Sequence, residues 1–265
     1  MIYVCIPSYN EAQTIGLLLW KIRQVFTGFP REYQLLVMDD GSTDATAEVL
    51  EPYARVLPLT ILRHRERRGY AAALDGLLRH AVELTDRPKR DAAILMHADF
   101  AHSPQLLPDL VRRIESGADV VVAEGTLAGE RSRGRRLIRR VAPLLFRGVV
   151  AVPGVSDLVS GFAIFRLVTL RNAIRSQPGS LLVTDGWAAN AELYWRAGRY
   201  ARRVEAVESV ERHDLRHRPS RVQPWRKARE LWRARAALRA APVAPGAPEP
   251  AARRDTERQP ETVSP

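Results

Sequence analysis

Short, continuous apolar runs alternate with helical periods along the first half of the chain. Met1 to Pro7 reads MIYVCIP, an apolar run that stops at a proline, as a strand buried on both faces does. Tyr33 to Met38, Leu59 to Leu62, Ala92 to Met96 and Asp119 to Ala123 repeat the pattern. Between them the 3.6-residue period predicts four helices. The first is capped by Asn10 or Thr14 and runs to Phe26, with Leu17, Leu18 and Ile22 on one face. The others span Ala45–Tyr53, Gly69–Leu84 and Gln105–Ser116. Such alternation predicts an α/β sandwich around a mostly parallel sheet. Polar clusters directly after the strands place a ligand crevice at their C-terminal ends.

Composition narrows the class. With 265 residues, 46% hydrophobic and 27% charged, the chain can bury a core, which excludes a fibrous or wholly disordered protein. The Pro/Ala-rich tail from Ala241 onward is predicted to be disordered. A lone cysteine, Cys5, rules out an intrachain disulfide or a cysteine zinc cage and suits a reducing compartment. No basic leader precedes an apolar segment. The longest uncharged apolar run, near Gly148 to Val155, falls far short of the ~20 residues that span a bilayer.

The formal net charge is +11, concentrated in two stretches. Arg131 to Arg147 holds seven arginines and no acid, and Arg199 to Arg239 holds thirteen basic against five acidic residues. This suits an anionic partner such as a lipid headgroup or a diphosphate. No helix-turn-helix, finger or RNA-binding aromatic signature accompanies it, so nucleic acid is not the expected partner. Trp225 to Arg239 (WRKARELWRARAALR) reads as a helix with Trp225, Ala228, Trp232 and Ala236 on one face. Its basic residues and tryptophans suit an anionic membrane surface; packing back onto the domain is the alternative.

Three polar clusters follow three strands: PSYNE (7–11), DDGSTD (39–44) and HAD (97–99). A nucleotide pocket needs a carboxylate for the base, a tight turn near the ribose and an acidic site for an ion that neutralises a diphosphate. The loop RRGYAAAL (67–74), opening a helix at Gly69, offers backbone N–H groups to a phosphate. In order and spacing, IPSYNEAQTI (6–15), VMDDGSTDAT (37–46), RGYAAALDGLL (68–78), HADFAHSP (97–104), DLVSGFAIFR (157–166) and RHRPSRV (216–222) resemble family 2 glycosyltransferases of the GT-A fold. The likeness is strongest to the dolichyl- or polyprenyl-phosphate mannosyl- and glucosyltransferase group.

The resemblance implies a metal-dependent transfer of a hexose from a nucleotide diphosphate sugar to a polyprenyl phosphate. Pro7, Tyr9 and Glu11 would line base and ribose; Met38, Asp39 and Asp40 would hold the base. His97, Ala98 and Asp99 would stand at the Asp-x-Asp positions, with Asp99 as ligand of Mn²⁺ or Mg²⁺ and catalytic centre. His97, in place of the first acid, would bind ribose or the ion. Arg135, Arg139 and Arg140 would steer the lipid phosphate, and Arg216 and Arg221 would bind phosphates. Departures from the pattern stand at Ala163 and in EGTLAGERSR, where arginines are usual.

With a hydroxyl acceptor a base is needed, and Asp185 is its candidate unless it caps the helix beginning near Trp187. Glu192 and Asp157 read as structural. A hydroxyl acceptor or an inactive binding module are the alternatives to transfer onto a lipid phosphate. The expected organisation is a GT-A domain over 1–222, a basic helix over 223–240 and a tail over 241–265. The expected place is the cytoplasmic face of a membrane, with an integral-membrane protein as a possible partner; the oligomeric state is left open.

Overall fold

A computed structural model describes residues 1–126, 137, 141–142, 144–210 and 224–240. Seven strands form one sheet: β1 (Ile2–Ser8), β2 (Tyr33–Asp39), β3 (Leu59–Arg63), β4 (Ala92–Leu95), β5 (Val120–Thr126), β6 (Ala163–Arg166) and β7 (Val204–Val210). Their order is β3-β2-β1-β4-β6-β5-β7. All neighbours run parallel except β6, which is antiparallel to both β4 and β5.

Helices cover both faces: α1 (Ile15–Gly28), α2 (Thr46–Ala54), α3 (Tyr70–Leu84), α4 (Leu107–Glu115), α5 (Leu167–Arg175), α6 (Trp187–Gly198) and α7 (Pro224–Ala240). The strand period sorts the core into two layers. Ile2, Val4 and Ile6 of β1 join Leu18 and Ile22 of α1 and Leu110 of α4. Tyr3 and Cys5 join Leu74 and Leu77 of α3 and Tyr194 of α6 on the other side.

One expectation about a helix face is corrected. On α1 the buried stripe is Ile15, Leu18, Leu19, Ile22 and Phe26, while Leu17 points to solvent. Thr14 stands at the N-cap position but its hydroxyl donates to Glu11 and caps no N–H, while Asn10 adopts a left-handed φ of 54° and bonds across to Thr43. On α7 the buried stripe is Leu231, Ala234 and Leu238, which join the α3–α6 core layer. Trp232 is 62% exposed and Ala236 lies outside as well. Leu231, Ala234 and Leu238, at i, i+3 and i+7, make one apolar stripe, and packing follows it. The basic helix thus packs one face onto the domain. The tail over 241–265 lies outside the described residues.

Leu231→Ala, which empties a fully buried site, should cost about 2–3 kcal/mol of stability. Trp232→Ala should cost less than about 0.5 kcal/mol. Urea unfolding of the two variants measures the difference.

Candidate active site

β1, β2 and β4 stop side by side, and the loops that follow them are sewn together by hydrogen bonds. The Asp40 N–H donates to the Ser8 carbonyl (2.9 Å), and the Met96 N–H donates to that of Cys5 (3.1 Å). Asn10 N–H donates to Ser42 Oγ (3.0 Å), Thr43 N–H to Asn10 Oδ1 (2.8 Å) and Glu11 N–H to Thr46 Oγ1 (2.9 Å). The side chain of Glu11 is buried and accepts from Thr14 Oγ1 (3.0 Å) at the start of α1. Pro7 and Met38 are buried beneath these loops, and Tyr9 stands half-buried at the rim.

The two acids that end β2 do different things. Asp39 is buried and accepts the Ser42 N–H on Oδ1 (3.0 Å), which tightens the turn. Asp40 spends both oxygens on the next loop. Its Oδ1 meets His64 Nδ1 (2.7 Å) and accepts the Arg68 N–H (2.8 Å), and its Oδ2 accepts the Gly69 N–H (2.9 Å). Asp40 therefore braces loop 67–71 instead of facing a base. The same bonds correct the expectation for Gly69: its N–H is taken by a carboxylate, not left for a phosphate. Gly41, with φ +65°, seats this turn so closely that a Cβ there would stand 2.5 Å from the Glu66 carbonyl carbon, so no larger residue fits.

Loop 67–71 forms a wall of the crevice. The Arg67 guanidinium lies 4.2 Å from the centroid of the Tyr9 ring. Tyr70 stacks on His97, with centroids 5.4 Å apart and planes within 4°, and its hydroxyl donates to Asn190 Oδ1 (2.8 Å). Burial foremost, with Asp185 and Asp99 nearby, pushes the Tyr70 phenol well above its ordinary pKa, so it stays a donor at any working pH. His97 also meets His102 edge-on, and His102 stacks on Phe162. On its far edge His97 Nε2 lies against Gly161, where an added Cβ would stand 1.8 Å away. The imidazole is packed on all these sides at one place and angle.

Asp99 is 8% exposed at the next turn, beside the buried Ala98. Its Oδ1 accepts the Ala101 N–H (3.1 Å), while Phe100 takes a left-handed φ of 58°. Among the described residues no group of three His, Cys, Asp or Glu converges to hold an ion. A single carboxylate nevertheless fits a hard divalent ion whose other ligands are substrate phosphates and water.

Asp185 caps a helix other than the one expected. Its Oδ1 accepts the Ala71 N–H (2.8 Å), so it caps α3 from across the crevice and not the adjacent α6. Glu192 is fully buried, accepting from the Val183 and Thr184 N–H groups (3.0 and 2.9 Å) and pairing with Arg196 (2.8 Å). Asp157 accepts the N–H groups of Gly125, Val159 and Ser160 (3.3, 3.2 and 3.1 Å) and braces the loop before β6. Arg135, Arg139, Arg140, Arg216 and Arg221 lie outside the described residues. Sequence reasoning missed Tyr70, His64, Asn190 and Gly161 as parts of the site. Tyr70, Gly161 and Asn190 stood inside runs that resemble the family; His64 did not.

The profile of the glycosyl transferase family 2 matches residues 3–172. A dolichol-phosphate mannosyltransferase of Pyrococcus furiosus is 28% identical over 170 residues, which cover 62% of this chain and 45% of that protein. A polyprenol monophosphomannose synthase of Mycolicibacterium smegmatis is 25% identical over 203 residues, covering 73% and 71%. The chain thus spans less than half the length of the first of these relatives.

Among solved structures, a mannosyltransferase from Pyrobaculum calidifontis, in complex with GDP-Man and Mn²⁺, superposes with a TM-score of 0.60 at 23% identity. It covers 92% of this chain and 65% of its own. The glucosyl-3-phosphoglycerate synthase of Mycobacterium tuberculosis, with Mn²⁺ and UDP-glucose, gives 0.59 at 19%, covering 92% and 82%. These likenesses show the fold, which is the GT-A architecture.

Gly161→Ala should drive His97 off Tyr70. Calorimetric titration with GDP or UDP plus Mn²⁺ should show affinity reduced by about tenfold or more, since a packed side chain has no second rotamer to retreat into.

Proposed function

Because this chain belongs to the glycosyl transferase family 2, we propose that it transfers a hexose from a nucleotide diphosphate sugar to a polyprenyl phosphate, with inversion at the anomeric carbon. The observation that carries this reading is the convergence of Tyr9, Asp39, the Tyr70–His97 stack and Asp99 where three parallel strands end. Tyr9 and Asp39 are assigned to the base and ribose, and His97 to a wall beside the sugar. Asp99 is the residue that would hold Mn²⁺ or Mg²⁺, whose chemistry is to stabilise negative charge on a departing diphosphate. The relatives solved with Mn²⁺ and GDP-mannose or UDP-glucose support a donor of that kind.

A phosphate acceptor is favoured over a hydroxyl. A phosphate is already an anion near neutral pH and needs no base. The lipid-phosphate names among the relatives support the same acceptor class.

Asp99→Asn removes the charge that would fix the ion. Transfer from a nucleotide sugar to polyprenyl phosphate, followed by mass spectrometry of the product, should fall by about a hundredfold or more. Wild-type turnover in that variant at saturating Mn²⁺ would rule Asp99 out as the metal residue.

The acceptor reading brings a membrane surface with it, at the cytoplasmic face. No helix among the described residues is long and apolar enough to cross a bilayer. The outer face of α7 instead carries Arg229, Trp232, Arg233 and Arg239, all exposed. Beside it Leu144 is 62% exposed, and Arg235 Nη1 donates to the Leu145 carbonyl (2.9 Å), joining the two surfaces. Tryptophan and leucine among arginines suit the headgroup boundary of an anionic leaflet, at roughly 1 kcal/mol per basic residue near the surface. The full chain should sediment with phosphatidylglycerol vesicles at low salt. Trp232→Ala combined with Arg229→Gln and Arg233→Gln should leave most of it in solution, and equal pelleting would refute this face as the contact.

A further inference from the structure

We propose that Asp185 is a positioning residue, tying the segment before α6 to loop 67–71 and so setting nucleotide affinity without touching the nucleotide. This rests on the donor half of the reading above and not on its acceptor. The mount of Asp185 comes first. Val183 and Thr184, just before it, donate their N–H groups to Glu192, and Thr184 Oγ1 donates to the same carboxylate (2.8 Å). Glu192 is itself held by Arg196 inside α6 (2.8 Å). The segment carrying Asp185 is therefore pinned to a buried ion pair that has no freedom to move.

From that mount Asp185 Oδ1 accepts the Ala71 N–H in the first turn of α3 (2.8 Å). Backbone N–H groups there have no partner within their own helix, and the helix dipole favours a carboxylate. Asp40 grips the other end of the loop through the Arg68 and Gly69 N–H groups. Two carboxylates from opposite sides of the crevice thus hold three N–H groups of one short loop.

That loop carries Arg67 on the Tyr9 ring and Tyr70 on the His97 ring. Tyr9 stands at the rim after β1, and His97 stands two residues before Asp99. Freeing the Ala71 end lets Tyr70 tilt, and both walls of the nucleotide pocket loosen together. The bond from Asp185 Oδ1 to a backbone donor of α3 is what a clamp requires. Asparagine keeps an acceptor oxygen at the same place, and alanine keeps none.

Asp185 faces solvent, so its replacement leaves the core intact. The test compares Asp185→Ala and Asp185→Asn in the full chain by two measurements: hydrogen exchange of peptides spanning 68–73 without ligand, and calorimetric binding of GDP and UDP with Mn²⁺. In Asp185→Ala, exchange should quicken and nucleotide affinity fall, each by roughly three- to tenfold, the ordinary net worth of one hydrogen bond. Asp185→Asn should recover most of both. Exchange at the wild-type rate in Asp185→Ala removes the clamp and overturns the proposal. Faster exchange with unchanged nucleotide affinity overturns it too, because the contact is then structural only. A wild-type chain that takes neither nucleotide overturns the donor reading itself, and the coupling falls with it.

Discussion

Carboxylates at the ends of parallel strands have to be solvated by something, and in this molecule the solvent is backbone N–H. Asp39, Asp40 and Asp99 are all buried, and each accepts from a main-chain donor in a neighbouring turn. A buried carboxylate without donors costs several kcal/mol, so each acid dictates the path of the loop it binds. The crevice is shaped by this demand. Loop 67–71 lies where Asp40 can reach its N–H groups, Arg67 then falls over Tyr9, and Tyr70 falls over His97. The glycines follow from the same closeness: Gly41 admits the backbone of Glu66, and Gly161 admits the edge of His97.

Most of the first five strands were legible because they are continuous apolar runs ending in a polar turn, which is what burial on both faces writes into a sequence. The edge strand β3, only half-buried, was legible from its three large apolar residues. β6 and β7 were not. AIFR is four residues long and passes directly into α5, while VEAVESV carries two glutamates at the sheet edge. Neither holds enough apolar length to stand out, and β6 exists only because β4 and β5 flank it in an antiparallel register. The helix faces failed for a related reason. An apolar residue one position off the stripe, such as Leu17, counts the same in a composition window as one on it.

Within the site, a motif told which residues gather but not which of their atoms are spent. DDGS announced two acids, and only their bonds separate Asp39 from Asp40. VTDGW announced an acid before a helix, and the helix it serves is α3, 114 positions away in sequence. Capping across the fold leaves no local spacing to read. Tyr70 and Gly161 lay within recognisable runs, but their purpose is a contact with His97, and a contact between distant loops has no signature in either segment. His64 carried no signal at all.

The division of charge completes the argument. Arginines that the fold needs are buried against acids or carbonyls, as Arg196 is against Glu192 and Arg166 against Asp119 and the carbonyls of Ile114 and Ala118. Three arginines of α7 are held differently: Leu231, Ala234 and Leu238 supply the packing, and Arg229, Arg233 and Arg239 face outward, while Arg235 bonds the Leu145 carbonyl. A helix that buries leucines and displays arginines and a tryptophan keeps its charge out of the stability of the domain. Folding therefore places no demand on that face, and its composition is free to answer to whatever anion the surface meets.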